Sequence, residues 1–107
     1  LNSFDITDEA KVILDSLVVF LKESPTVKIE IRSHTDSRAS NEYNIWLSNQ
    51  RASKSHNYLI NKGISANRLS RQGFGESQLT NDCHDNADCS EEFHRLNRRS
   101  EFIIINE

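Results

Sequence analysis

Asn44, Ser48, Arg51 and Ser55 follow one another at spacings of four, three and four. On a helix that rhythm puts all four side chains on one face, with Leu47 at its border. A polar stripe of this kind is ordinarily a solvated surface. Asp36, a few residues upstream, changes the reading. It follows a run of alternating apolar and polar residues and precedes the helix, and the carboxyl ends of strands are where open α/β sheets place their ligands. A helix N-terminus adds unpaired N–H groups that favour anions. Asp36 can accept from an ammonium, and Arg51 can give a carboxylate two parallel hydrogen bonds. A fixed carboxylate near a fixed guanidinium suits a zwitterion such as an amino-acid head group. The same residues also admit a plainer arrangement, in which Asp36 and Arg51 pair with each other or Asp36 closes a turn.

Other candidates carry less. His34 and Asp36 share a strand face and would make an acid–base pair for a hydrolase, but neither His34 nor His56 has a Ser or Cys nucleophile at a recognisable spacing. His34 is expected on the solvent face, bracing the loop that follows. Cys83 and Cys89, with His84 and His94, offer the ligand types of a zinc site. The spacing argues against zinc, because adjacent Cys83 and His84 converge poorly on one ion. A disulfide closing this small loop would contribute roughly 2–3 kcal/mol in the chain-entropy model. In Asn97-Arg98-Arg99 the two guanidiniums point to opposite faces if a strand has begun there. One of them can then reach a ligand while the other pairs with a surface acid.

These groups need positioning elements, and the sequence marks them. Thr7 caps a helix of about 8–23, with Asp8 and Glu9 in its first turn, where negative charge suits the helix dipole. Ile13, Leu17, Phe20 and Leu21, flanked by Leu14 and Val18, make a wide apolar stripe, and Pro25 stops the helix. Val27, Ile29, Ile31 and Ser33 alternate with Lys28, Glu30, Arg32 and His34, a strand with one buried face. Residues 35–40 read as a loop and Ser40 as the cap of a helix over 41–62, whose apolar face is thin: Tyr43, Leu47, Ala52, Tyr58 and Leu59. Gly63 falls where a left-handed C-terminal cap belongs. Strands follow over 68–74 and 98–105. The second has four consecutive apolar residues and is therefore expected at the centre of the sheet. Residues 2–5 suggest the end of a first strand, and Ser90 with Glu91 and Glu92 starts a short third helix. The order β-α-β-α-β-(α)-β requires crossover connections. It predicts an α/β sandwich with a mixed sheet and helices packed on one face.

Composition sets the outer bounds. The 107 residues make one domain, 1–107, large enough to fold without a metal. The fractions of 36% apolar and 27% charged residues describe a globular chain, and the net charge of −3 argues against a nucleic-acid partner. No apolar run approaches the roughly 18–20 residues that span a bilayer. The chain opens at Leu1 without Met or a leader and reads as a processed or excised piece.

The strings Ile29-Glu30-Ile31-Arg32-Ser33-His34-Thr35-Asp36-Ser37 and Tyr43-Asn44-Ile45-Trp46-Leu47-Ser48-Asn49-Gln50-Arg51-Ala52 resemble the signature of OmpA-like domains. Leu59, Gly63-Ile64, Arg68-Leu69, Gly73-Phe74-Gly75-Glu76 and Asn97-Arg98-Arg99 continue the match over essentially the whole chain. A departure falls at Arg38-Ala39, where a Gly is common. The resemblance implies a non-enzymatic, cofactor-free module in the periplasm that binds the diaminopimelate residue of peptidoglycan. It would anchor an outer-membrane protein or lipoprotein through a preceding segment. Carried over by position, Asp36 would hold the ammonium and Arg51 the carboxylate. Thr35, Asn44, Leu47 and Ser48 would line the pocket, and Arg98 would reach in from the last strand. The resemblance also implies that Cys83 and Cys89 form a structural disulfide. Service as a protein-partner or motor-stator anchor is the alternative within the family.

Overall fold

A computed structural model of the chain describes residues 6–35, 37, 39–75, 77 and 99–106. The first helix, α1, runs Asp8–Glu23, and the Thr7 hydroxyl accepts from the Ala10 amide at 3.1 Å, the expected cap. Strand β1 (Lys28–Ser33) leads to helix α2 (Asn41–Asn61), where the Ser40 hydroxyl accepts from the Tyr43 amide at 3.2 Å. Gly63 ends α2 at a φ of 102°, its amide donating to the Ile60 carbonyl, so the left-handed cap is present. A 3-10 turn, Ala66–Arg68, enters strand β2 (Leu69–Gly73), and strand β3 covers Ser100–Asn106.

The sheet of described strands is ordered β2-β1-β3, with β1 parallel to β2 and antiparallel to β3. The mixed α/β class therefore holds. Among the described strands β1 lies between β2 and β3, and Ile104 and Ile105 are half exposed. The expected first strand over 2–5 and third helix from Ser90 lie outside the described residues.

Both helices contribute to one core against the Ile29 and Ile31 face of β1. Leu14, Val18 and Leu21 of α1 meet Val27, Ile29, Ile31, Ala52, Leu59, Ile64 and Leu69. Each fully buried Leu or Ile contributes about 1.5–3 kcal/mol over its exposed state. The buried line of α1 is narrower than its apolar stripe. Ile13 and Phe20, expected inside, are exposed together with Val12 and Val19. The helix is apolar on two sides and the core takes one. Arg68 fastens the end of α1 to the strand. Its Nη2 donates to the carbonyls of Leu21 and Ser24, both at 2.8 Å, and its Nε to Val27 at 3.0 Å.

Candidate functional site

Three chain segments meet beyond the C-terminal end of β1. Thr35, 2% exposed, donates its amide to the Gly75 carbonyl at 2.8 Å. Gly75, at a φ of 56°, donates its own amide to the Ser48 hydroxyl, also at 2.8 Å. The Ser48 hydroxyl in turn donates to the Ile45 carbonyl at 3.0 Å, and the Asn49 carboxamide oxygen accepts from the Gly73 amide at 3.0 Å. The Phe74 amide returns to the Ser33 carbonyl at 2.9 Å. The result is a hydrogen-bonded cradle joining β1, the end of β2 and the first half of α2.

The α2 polar stripe faces this cradle and the interior, not solvent. Asn44, Ser48 and Ser55 are buried, Leu47 is buried beside them, and Arg51 is half-buried on the same face. Asn44 donates to the Ala39 carbonyl at 3.2 Å, tying the helix to the loop that precedes it. Ser48 can sit on a buried helix face because its hydroxyl has backbone partners at Ile45 and Gly75. Space is part of the reason. A Cβ on Gly73 would overlap the backbone of Ser48 and Asn49, so only glycine lets α2 approach β2 this closely.

Thr35, Asn44, Leu47 and Ser48 are thus brought to one place, with Arg51 further along the same face. Asp36, Arg98, Cys83 and Cys89 lie outside the described residues, and so do the expected charge pair and disulfide. One buried atom stands out. Among the described residues Thr35 Oγ1 has no hydrogen-bond partner. A buried hydroxyl left unsatisfied costs about 1–3 kcal/mol, which a ligand with a polar group can recover.

His34 corrects a sequence expectation. It is fully buried, not on a solvent face. Its Nε2 lies 2.9 Å from Glu101 Oε1, and its ring stacks on Phe74 with centroids 5.3 Å apart. Arg99 Nε donates to the other oxygen of Glu101 at 3.3 Å, so the arginine expected to pair with a surface acid does so. Arg32 sits over the Phe74 ring and pairs with Glu30. Burial pushes the His34 imidazole below its ordinary value, the Glu101 hydrogen bond opposes this, and nearby Arg99 and Arg32 add to the lowering. Burial pushes the Glu101 carboxyl up, but its bonds to His34 and Arg99 prevail and hold it below its ordinary value. At this burial the His34 ring has no access to a substrate in solvent, which removes the acid half of the hydrolase reading. Among the described residues no group of three or more His, Cys, Asp or Glu could hold a metal ion, and no helix is long and apolar enough to cross a membrane.

The sequence missed the inward turn of the polar stripe and the pairing of His34 with Glu101. Gly73-Phe74-Gly75 was the available signal for the first, since two glycines after a strand mark a close backbone approach. The second needed the register that sets Arg32 opposite Glu101.

A mixed sheet with two helices against one face is the α/β architecture of OmpA-like domains. The crystal structure of the peptidoglycan-associated lipoprotein from Burkholderia pseudomallei superimposes with a TM-score of 0.86 at 25% identity, covering 97% of this chain and 84% of that one. The cell wall anchor of the type VI secretion system from Pseudomonas aeruginosa shares the fold, with a TM-score of 0.78 at 23% identity over 99% of this chain and 73% of that one. The sequence pattern of the OmpA family matches residues 1–92, and the chain belongs to that family. The peptidoglycan-associated lipoprotein of Haemophilus influenzae is 36% identical over 86 residues, 80% of this chain and 56% of that protein. The chain therefore spans about half the length of the curated relatives it matches.

Proposed function

We propose that this domain binds peptidoglycan without turnover, by gripping the amino-acid head at the far end of the diaminopimelate side chain. Asp36 takes the ammonium, Arg51 takes the carboxylate, and Arg98 reaches in from the segment before β3. Thr35, Asn44, Leu47 and Ser48 line the pocket. The observation that carries the reading is the buried hydroxyl of Thr35, without a partner among the described residues, beside the Ser48 cradle of the α2 face that also bears Arg51. Such a place lacks one polar partner, and a zwitterionic head group supplies it. Relatives named as a peptidoglycan-associated lipoprotein and a cell wall anchor support the ligand class. The same names support a periplasmic location and tethering to the outer membrane through a further segment. The Cys83–Cys89 disulfide belongs to this proposal as a structural staple.

Co-sedimentation with purified cell-wall sacculi tests it. Wild-type protein should pellet with sacculi, while Asp36→Ala and Arg51→Ala should stay in solution with unchanged far-ultraviolet circular dichroism. Sedimentation of both variants at the wild-type level would reject the assigned site.

A further inference from the structure

We infer that His34 is a positioning residue for this site, the bolt of a clamp that holds two ligand-bearing segments in register. The inference rests on the wall-binding reading above. His34 directly precedes Thr35 and Asp36, and Arg99 directly follows Arg98. The His34 amide donates to the Arg99 carbonyl at 2.8 Å, and its Nε2 meets Glu101 at 2.9 Å. Glu101 also receives Arg99, and the hydroxyls of Ser33 and Ser100 lie 3.0 Å apart one step further along the same two strands. The stacked Phe74 ring ties in the third segment, whose next residue, Gly75, joins Thr35 to Ser48. One buried side chain therefore connects the end of β1, the start of β3 and the turn after β2.

The chemistry of the ring fits a clamp better than a ligand contact. A neutral imidazole meets a carboxylate as donor only when its proton is on Nε2. Nδ1 is then a bare acceptor, and it is buried without a partner among the described residues. The ring's orientation is therefore fixed by Glu101 on one edge and Phe74 on one face. A site that grips both charges of one head group must hold its residues to within about 0.5 Å, and the clamp supplies that restraint.

The test uses four variants of the whole chain and two readouts. His34→Phe keeps a ring for Phe74 and loses the bond to Glu101. Glu101→Ala, at a partly exposed position, removes the same bond from the other side and should fold even if His34→Phe does not. His34→Gln returns an N–H donor near the place of Nε2. The double variant His34→Phe with Glu101→Ala completes the cycle. Affinity for a diaminopimelate-bearing muropeptide is measured by calorimetry, and amide hydrogen exchange is measured on the free protein. His34→Phe and Glu101→Ala should each weaken binding about tenfold, and the double variant should be no worse than either. His34→Gln should recover most of the affinity. Exchange at Thr35 and Phe74 should quicken in the weakened variants while Leu21 and Leu59 in the core stay protected. Unchanged affinity in both single variants, or lost affinity with unchanged exchange at Thr35, overturns the clamp. Failure of the wild-type protein to bind any muropeptide would instead sink the wall-binding reading, and the exchange comparison alone would then judge the clamp.

Discussion

Replacing Gly73 by alanine is the sharpest probe of how the cradle is built. The added Cβ would lie 2.5 Å from Ser48 Oγ and 2.6 Å from the Ser48 carbonyl carbon, with the Asn49 amide nitrogen also well inside contact distance. Two of those three atoms are α2 backbone, so no side-chain rotation relieves the overlap and the helix must move away from β2. Overpacking of this kind costs about 1–3 kcal/mol. The same displacement stretches the Gly73–Asn49 and Gly75–Ser48 bonds, at about 1 kcal/mol for each one lost. Gly73→Ala should therefore destabilise the domain by about 2–4 kcal/mol, a large part of the roughly 5–15 kcal/mol that a domain has. The melting temperature should fall by about 10–25 °C. Thermal unfolding followed by circular dichroism reads this directly. Gln72→Ala, exposed on the same strand, is the control and should stay within about 0.5 kcal/mol of wild type. A Gly73→Ala protein melting within about 2 °C of wild type would show that α2 does not approach β2 as described.

Arg68→Ala removes three bonds to the carbonyls of Leu21, Ser24 and Val27, and should lower stability by about 2–3 kcal/mol with an unchanged urea m-value. Arg68→Lys should recover little, because an ammonium lacks the fork that reaches three acceptors; full recovery would refute the clamp on α1. The depressed His34 value gives a pH signature. The unfolded chain takes its proton near 6.5 and the folded chain only lower, so the stabilisation from neutral His34 is complete above 6.5 and is lost as pH falls through the folded value. Glu101, held below 4.5, contributes above that value and loses its contribution as pH falls further. Urea midpoints between pH 7.5 and 4.5 should therefore decline for the wild type and decline less for His34→Phe over the upper part of that range. Parallel slopes would count against a His34 that stays neutral when folded.

Local rules served well where local chemistry decides structure. Thr7 and Ser40 cap their helices, and Gly63 takes the left-handed φ that ends α2. The alternation from Val27 to Ser33 correctly gave the buried face of β1. Legibility failed where two elements must be known together. Ile13 and Phe20 fit a helical apolar stripe as well as Leu14 and Val18 do, and only the packed sheet decides which line is buried. Asn44, Ser48 and Ser55 look like a wetted surface until the close approach at Gly73 and the Gly75 amide on Ser48 are seen to turn that face inward. His34 looked solvent-facing because its partners, Glu101 in β3 and Phe74 in the turn after β2, come from far along the chain. Of the expected site, the charge pair of Asp36 and Arg51 was read from residue chemistry, whereas the lining by Thr35, Asn44, Leu47 and Ser48 and the reach of Arg98 came from family resemblance, and all of these roles remain proposals.

The most direct test compares two muropeptides that differ at a single position, one bearing diaminopimelate and the other lysine, which has the same terminal ammonium but no carboxylate beside it. Calorimetric titration of the wild-type domain should show binding of the first and a loss of about 10–150-fold for the second, the value of one charge-assisted bond at roughly 1.5–3 kcal/mol. Arg51→Ala should erase that preference. Equal affinity of the wild-type domain for both peptides would contradict the two-charge grip on which the functional reading depends.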